Sequence, residues 1–295
     1  MEPRQAIHIV LTFDGNFWAP AYATMRSICA TSKRREDIIF HLLHLRLASY
    51  QRRDLDEIGT EYGAALDYVN VAPTPVYRDL AARLPKQRKP FAPLLHTRLC
   101  IDALLPKEVT RFIYVDCDTM FRAPVEELAA IDLEGKPIAA VLDPHGWLLC
   151  NGRDVRQNWD LFDPASPYFN SGLILVDRAG WRAADPQAVL DSLIDSGRLQ
   201  SLFYDQAVLN IAFRDNWLPL DTMWNYTSPH RAFEGLNPRM VHYTGRRKPW
   251  KLRSRAPFAR IYRHVMTNDL FHRFMWFRWR AWWRRRLGLK AESAK

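Results

Sequence analysis

The stretch RFIYVDCDTMF, Arg111 to Phe121, constrains the fold more tightly than any other part of the chain. Phe112, Ile113, Tyr114 and Val115 form a short aromatic and β-branched run, the kind of strand that parallel sheets bury on both faces. It ends abruptly in two carboxylates, Asp116 and Asp118. IHIVLTFD (7–14) has the same form, an apolar strand closed by an acid. IIFHLLHL (38–45), LDYVNVA (66–72), KPIAAVLD (136–143), YFNSGLILVD (168–177) and MVHYTG (240–245) read as further strands. Between them, Tyr22, Met25, Ile28 and Cys29 are spaced for a helix over 19–31, and Ser49 is positioned to cap a helix carrying Leu55, Ile58 and Tyr62. Helices are also expected near 93–105, 185–196 and 205–213. Strands alternating with helices predict an α/β fold, a Rossmann-like, mostly parallel sheet with helices on both faces. Ligands of such sheets bind beyond the carboxyl ends of the strands, where Asp14, Asp116, Asp118 and Asp143 all fall.

At 295 residues and 48% hydrophobic, the chain can bury a large core in one globular unit. Its charge is divided: Arg246 to Lys290 holds 15 Lys/Arg and one acid, so residues 1–245 carry about −4 although the chain is +10. An anionic partner is therefore expected at the C-terminal end. There, DLFHRFMWFRWRAWWRRRLG (269–288) holds four tryptophans, three phenylalanines and six arginines. On a helix, Phe271, Met275, Trp279 and Trp282 share a face, so the segment reads as an interfacial helix on an anionic membrane. Packing on the body, a dimer contact and nucleic-acid binding are the competing readings, and no nucleic-acid partner is expected. Cys29, Cys100, Cys117 and Cys150 lack ligand spacing and read as free thiols of a reducing compartment. No run suits a signal peptide or a membrane span, so the expected location is cytoplasmic, peripheral on the inner face of the membrane.

Alternation along a strand would aim Asp116 and Asp118 at one point, where two carboxylates repel unless a cation joins them. Oxygen ligands suit Mg²⁺ or Mn²⁺, and an imidazole such as His242 tilts the choice to Mn²⁺. Two solvated acids opening a loop would look the same in isolation. In HYTGRRKPW (242–250), Gly245 permits close backbone approach and Lys248 offers an ammonium to a phosphate. A core histidine and a surface lysine are the plain alternatives. Asn170, Ser171 and Gly172 interrupt an apolar strand, as either a ligand approach or a β-bulge would. Asp205 and Gln206 open a helix, where Asp205 either favours the positive helix end or holds sugar hydroxyls.

Taken in order, TFDGNF (12–17), Arg98 in LLHTRLCID, YVDCD, FNSG, YDQAVLN and HYTGRRKPW resemble the family 8 retaining glycosyltransferases. Within these, the chain is most similar to bacterial galactosyl- and glucosyltransferases of the lipopolysaccharide outer core, over about residues 7–250. The resemblance implies a GT-A fold over 1–250, followed by a basic Trp/Arg-rich segment, 251–295. It implies a UDP-hexose donor, a Mn²⁺ ion, a lipid-linked or oligosaccharide acceptor and retention of α-configuration. Thr12, Asp14, Asn16 and Phe17 would line the nucleoside pocket. Asp116, Asp118 and His242 would bind the metal, with Cys117 in the same turn and its side chain turned away. Gly245 and Lys248 would meet the diphosphate. Arg98, Asn170, Asp205 and Gln206 would hold the donor sugar, with Gln206, Asp205 and Asn170 nearest the chemistry. Asp143 lies where the family has an acid facing the sugars. Gly15 and Phe17 depart from the second Asp and the Tyr frequent in close relatives. The rival functions are a sugar nucleotidyltransferase, for which TFDGNFWAP lacks the Gly-rich basic loop, and a nucleotide-sugar- or glycan-binding protein.

Overall fold

The computed structural model describes residues 5–84, 92–146, 158–163, 165–202, 204–227 and 229–288. Its central sheet has seven strands in the order β3-β2-β1-β4-β7-β6-β8. These are β1 Ile7–Asp14, β2 Ile38–Leu45, β3 Ala65–Asn70, β4 Arg111–Val115, β6 Ile138–Leu142, β7 Phe169–Asp177 and β8 Leu218–Pro219. All neighbours pair parallel except at β7, which runs antiparallel to both β4 and β6. Side-chain alternation divides the core into two layers. Ile9, Leu11, Ile113, Val115, Leu173 and Leu175 face one, and Val10, Phe112, Tyr114, Ile174 and Val176 face the other. Helices Trp18–Thr31 and Ser49–Tyr62 cover the first layer; Pro75–Arg83, Pro186–Asp195 and Tyr204–Ala212 cover the second. A small second sheet, β5-β10-β9, is formed by β5 Thr119–Phe121, β9 Tyr226–Thr227 and β10 Met240–His242.

Local expectations are refined in five places. Ala48, not Ser49, occupies the cap position of the second helix; its N–H donates to Gln51 Oε1 at 3.0 Å, the half of a capping box that the N3 side chain supplies, while alanine offers the first-turn N–H groups no side-chain acceptor. The helix expected over 93–105 is a short α-helix, Ala92–His96, followed by a 3₁₀ segment, Thr97–Ala103. Strand 111–116 stops at Val115, and strand 240–245 stops at His242, where Gly245 adopts φ 70° in the following turn. The Asn170–Gly172 interruption coincides with a register irregularity against β6: Ala140 pairs Ile174 but Val141 pairs Asn170.

The C-terminal region begins inside the core. Trp250, Phe258, Tyr262, Met266, Leu270, Phe271 and Phe274 are buried in the same layer as helix Trp18–Thr31. Helix Asn268–Arg286 docks by its first turns: Phe274 and Phe277 meet the Trp18 ring edge-on at 5.1 and 4.9 Å, and Arg273 pairs with Asp54 at 2.6 Å. Its later turns leave the body. Of the face expected to be shared, Phe271 is buried whereas Trp279 and Trp282 are exposed. Cys29, Cys100 and Cys117 are buried free thiols; Cys150 lies outside the described residues.

Candidate active site

Strand order places the site. The strand order reverses between β1 and β4, which run parallel, and the loops following these strands meet at their carboxyl ends. Asp116 to Asp118 form a turn joining β4 to β5, so their convergence comes from the turn and not from strand alternation. Strand β10 then pairs antiparallel with β5, setting His242 opposite Thr119, and the Tyr243 N–H donates to the Asp118 carbonyl at 2.9 Å. A residue 124 positions downstream of Asp118 is thereby held beside it by backbone bonds alone. Gly172 in β7 is the other requirement. A Cβ there would lie 2.2 Å from His242 Cε1 and 3.0 Å from Asp116 Oδ2, so any side chain would expel the imidazole.

Ligand atoms of Asp116, Asp118 and His242 lie within 4.8 Å of one another. His242 Nε2 is 3.2 Å from Asp118 Oδ1 and 3.7 Å from Asp116 Oδ2. Adjacent ligands of an octahedral ion with bonds of about 2.1 Å sit about 3 Å apart, so the set fits one Mn²⁺ or Mg²⁺ ion. The opposite ring nitrogen, His242 Nδ1, is 3.0 Å from Asn225 Oδ1, which fixes the ring with Nε2 directed at the carboxylates. Lys248 Nζ donates to Asp118 Oδ2 at 2.5 Å and to the Tyr243 carbonyl at 2.6 Å. Burial acts to raise both carboxyls. In Asp118 it is outweighed by His242 and Lys248, which hold it well below the usual carboxylate range. In Asp116 burial prevails over Arg98 and His242, and the carboxyl is raised.

Arg98 links this cluster to a second one. Its guanidinium bonds Asp116 Oδ1 at 3.0 Å, pairs with Asp205, and reaches the Ser171 carbonyl and hydroxyl at 3.2 Å. It also stacks 4.5 Å from the Tyr114 ring, whose hydroxyl donates to Asp116 at 3.0 Å. Beyond it, Asn170 donates to Asp143 Oδ2 at 3.0 Å, and Gln206 donates to the same oxygen at 3.2 Å. Gln206 Oε1 accepts from the Ser171 N–H at 3.2 Å and from Asn170 at 3.3 Å.

At the end of β1, Asn16 closes a turn on Asp14, donating from its backbone at 2.9 Å and its side chain at 2.8 Å. Thr12 Oγ1 is buried without a partner among the described residues. Phe17 is 36% exposed and lies edge-on to Trp250 at 5.9 Å; Trp250 in turn lies 5.6 Å from the Lys248 ammonium. That chain of contacts connects the β1 residues to the lysine turn. Cys117 directs its sulfur at the Thr12 carbonyl, 3.7 Å away, and burial with the flanking carboxylates pushes its thiol up, away from reactivity. A side chain at Gly15 would meet the Arg46 carbonyl at 2.7 Å, which explains why no second acid stands there.

Sequence reading missed Asn225 and Tyr114, and singled out Ser171 only as part of the interruption in β7. Asn225 is the most consequential, because it joins the clusters: it holds His242 and donates to Asn170 Oδ1 at 2.8 Å. Its only signal in the sequence is an amide placed between Trp224 and Tyr226.

This arrangement is a GT-A fold with an acidic metal-competent turn at the sheet's switch point. Residues 8–253 match the glycosyl transferase family 8 model, and the chain belongs to that family. It is 21% identical to General stress protein A of Bacillus subtilis (strain 168) over 285 residues, covering 90% of this chain and 95% of the relative. It is 26% identical to the lipopolysaccharide 1,2-glucosyltransferase of Escherichia coli (strain K12) over 189 residues, 59% of this chain and 54% of the relative. The galactosyltransferase LgtC, solved in complex with donor and acceptor sugar analogs, superposes with a TM-score of 0.70 at 20% identity, covering 88% of this chain and 95% of that one.

Proposed function

We propose that the chain is a retaining hexosyltransferase, moving galactose or glucose from a UDP-sugar to a glycan acceptor of the lipopolysaccharide-core type, with Mn²⁺ or Mg²⁺ at Asp116, Asp118 and His242. The observation that carries this reading is the convergence of those ligands with Lys248 on one side and the Arg98–Asp205 pair on the other. When bound, the ion supplies Lewis-acid stabilisation to the departing diphosphate. Lys248 adds a positive charge where the leaving group's charge develops. Asn225 keeps the His242 ring oriented, and Thr12, Asp14, Asn16 and Phe17 receive the uridine. Neither candidate nucleophile is available: the Asp205 carboxylate is held by Arg98, and the Gln206 amide oxygen already accepts from Ser171 and Asn170. This supports front-side displacement. The acceptor oxygen bonds the anomeric carbon from the face UDP is leaving, the carbon–phosphate oxygen bond breaks, and the acceptor proton passes to that phosphate.

The test is UDP release from a panel of UDP-sugars, with Mn²⁺ or with EDTA, with and without acceptor sugars. One donor should be turned over selectively, and EDTA should abolish the reaction. Absence of UDP release from every donor in Mn²⁺ would sink the reading.

We assign the later turns of helix Asn268–Arg286 to an anionic membrane surface at the cytoplasmic side. Trp276, Trp279, Trp282 and Trp283 are 57%, 50%, 44% and 40% exposed on a segment rich in arginine, and no described helix is long and apolar enough to cross a membrane. Replacing the four tryptophans with glutamine should weaken flotation with phosphatidylglycerol vesicles roughly tenfold or more. Thermal stability should hold, since the docked half of the helix is untouched. Unchanged flotation would remove the membrane role.

A further inference from the structure

A cavity of about 550 Å³ opens at Lys248, which is one of its lining residues. Six further cations line it: Arg231, Arg246, Arg247, Lys251, Arg253 and Arg255. No acid lines it, and among the described residues none of the six forms an ion pair. Its floor is built. Trp250, Ala256 and Phe258 anchor the loop in the core, the Ser254 hydroxyl donates to the Lys248 carbonyl at 3.0 Å, and Lys251 Nζ to the Arg246 carbonyl at 2.6 Å. A concave surface thus gathers like charges that no acid among the described residues pairs with.

Such a surplus exceeds what the donor needs. A divalent ion and Lys248 would already balance a diphosphate ester without the other six cations. The volume suits a ligand of one or two sugar units. Resting on the transferase reading, we infer that this cavity is an acceptor subsite for phosphate groups, so that the acceptor is a phosphorylated glycan. Arginine forks clamp its phosphates and set the hydroxyl to be glycosylated toward the sugar cluster.

The experiment uses the full chain saturated with UDP and Mn²⁺, titrated calorimetrically with glucose 1,6-bisphosphate or with glucose. The bisphosphate should bind at least tenfold more tightly than glucose, with an affinity that falls as salt rises. A variant carrying Arg231→Gln, Arg253→Gln and Arg255→Gln, all exposed positions, should keep its thermal stability, lose at least tenfold in bisphosphate affinity, and change UDP affinity less than twofold. Equal loss of UDP affinity would make the cavity part of the donor site. Unchanged bisphosphate affinity would reduce it to a solvated face, and if vesicle flotation fell instead it would be a lipid-headgroup contact; each outcome overturns the inference. A wild-type chain that binds UDP but not the bisphosphate refutes this subsite alone. One that does not bind UDP with Mn²⁺ refutes the transferase reading itself.

Discussion

Asp118→Ala should lower turnover about 10²- to 10³-fold in Mn²⁺, the scale for removing one preorganised electrostatic element. The carboxylate holds two positions at once. It lies 3.2 Å from His242 Nε2 and 2.5 Å from Lys248 Nζ, so its loss removes one of the proposed metal ligands and releases the ammonium that would meet the diphosphate. The Mn²⁺ concentration for half-maximal rate should rise accordingly. Folding should be nearly unaffected, because the link from the turn to β10 runs through the Asp118 backbone carbonyl, which alanine keeps. Steady-state kinetics across a Mn²⁺ titration, with denaturant melts alongside, reads both quantities. Near-wild-type turnover at ordinary Mn²⁺ would mean that the ion is not held here.

Arg98→Leu should act on the fold as well as on the reaction, with a loss of about 3–5 kcal/mol of stability by urea denaturation. Arg98 is 6% exposed and balances Asp116 and Asp205 simultaneously. Removing it leaves Asp205 without its cationic partner and weakens the compensation of Asp116, which burial already raises. The sign of the rescue is specific. Without the guanidinium, Asp116 faces Asp118 with only the Tyr114 hydroxyl and the His242 ring beside it, so Mn²⁺ should stabilise the variant more than it stabilises the wild type. An unchanged urea midpoint would show that the Arg98 pairs are structurally idle, and equal Mn²⁺ stabilisation of both proteins would uncouple Arg98 from the metal turn.

The two effects belong to one connected set of side chains. From Lys248 through Asp118, His242, Asn225 and Asn170 to Asp143 and Gln206, each member bonds the next. Chains of this kind polarise along their length and fix rotamers, which is how polar groups are tolerated beside a core as apolar as this one. The C-terminal helix lies outside that set, and the cationic cavity touches it only at Lys248. Both belong to the basic C-terminal region, which explains why a body of mild negative charge carries a strongly positive end.

Much of this was legible before any coordinates. Apolar runs closed by acids located β1, β4 and β6 and the carboxyl ends where Asp14, Asp116 and Asp143 lie, because a strand buried on both faces leaves a continuous apolar signature that few other structures share. Ordered motifs identified the family. Short-range chemistry was less visible. Strands β5, β8 and β9 have two or three residues and no periodicity to read, and the glutamine that satisfies the Ala48 N–H lies three positions beyond it.

By itself, then, the sequence determined the layered α/β sheet, its ligand-binding edge and the residue types available there, since hydrophobic period and strand-terminal charge are local properties. The family resemblance implied that His242 joins Asp116 and Asp118; only the tertiary structure decided how it reaches their turn, that Gly172 is small to admit it, and that Asn225 orients it. Those facts depend on β10 pairing with β5 across more than a hundred intervening residues. No window of sequence contains such a pairing. It is settled by which strand edges the packed core leaves free to bond.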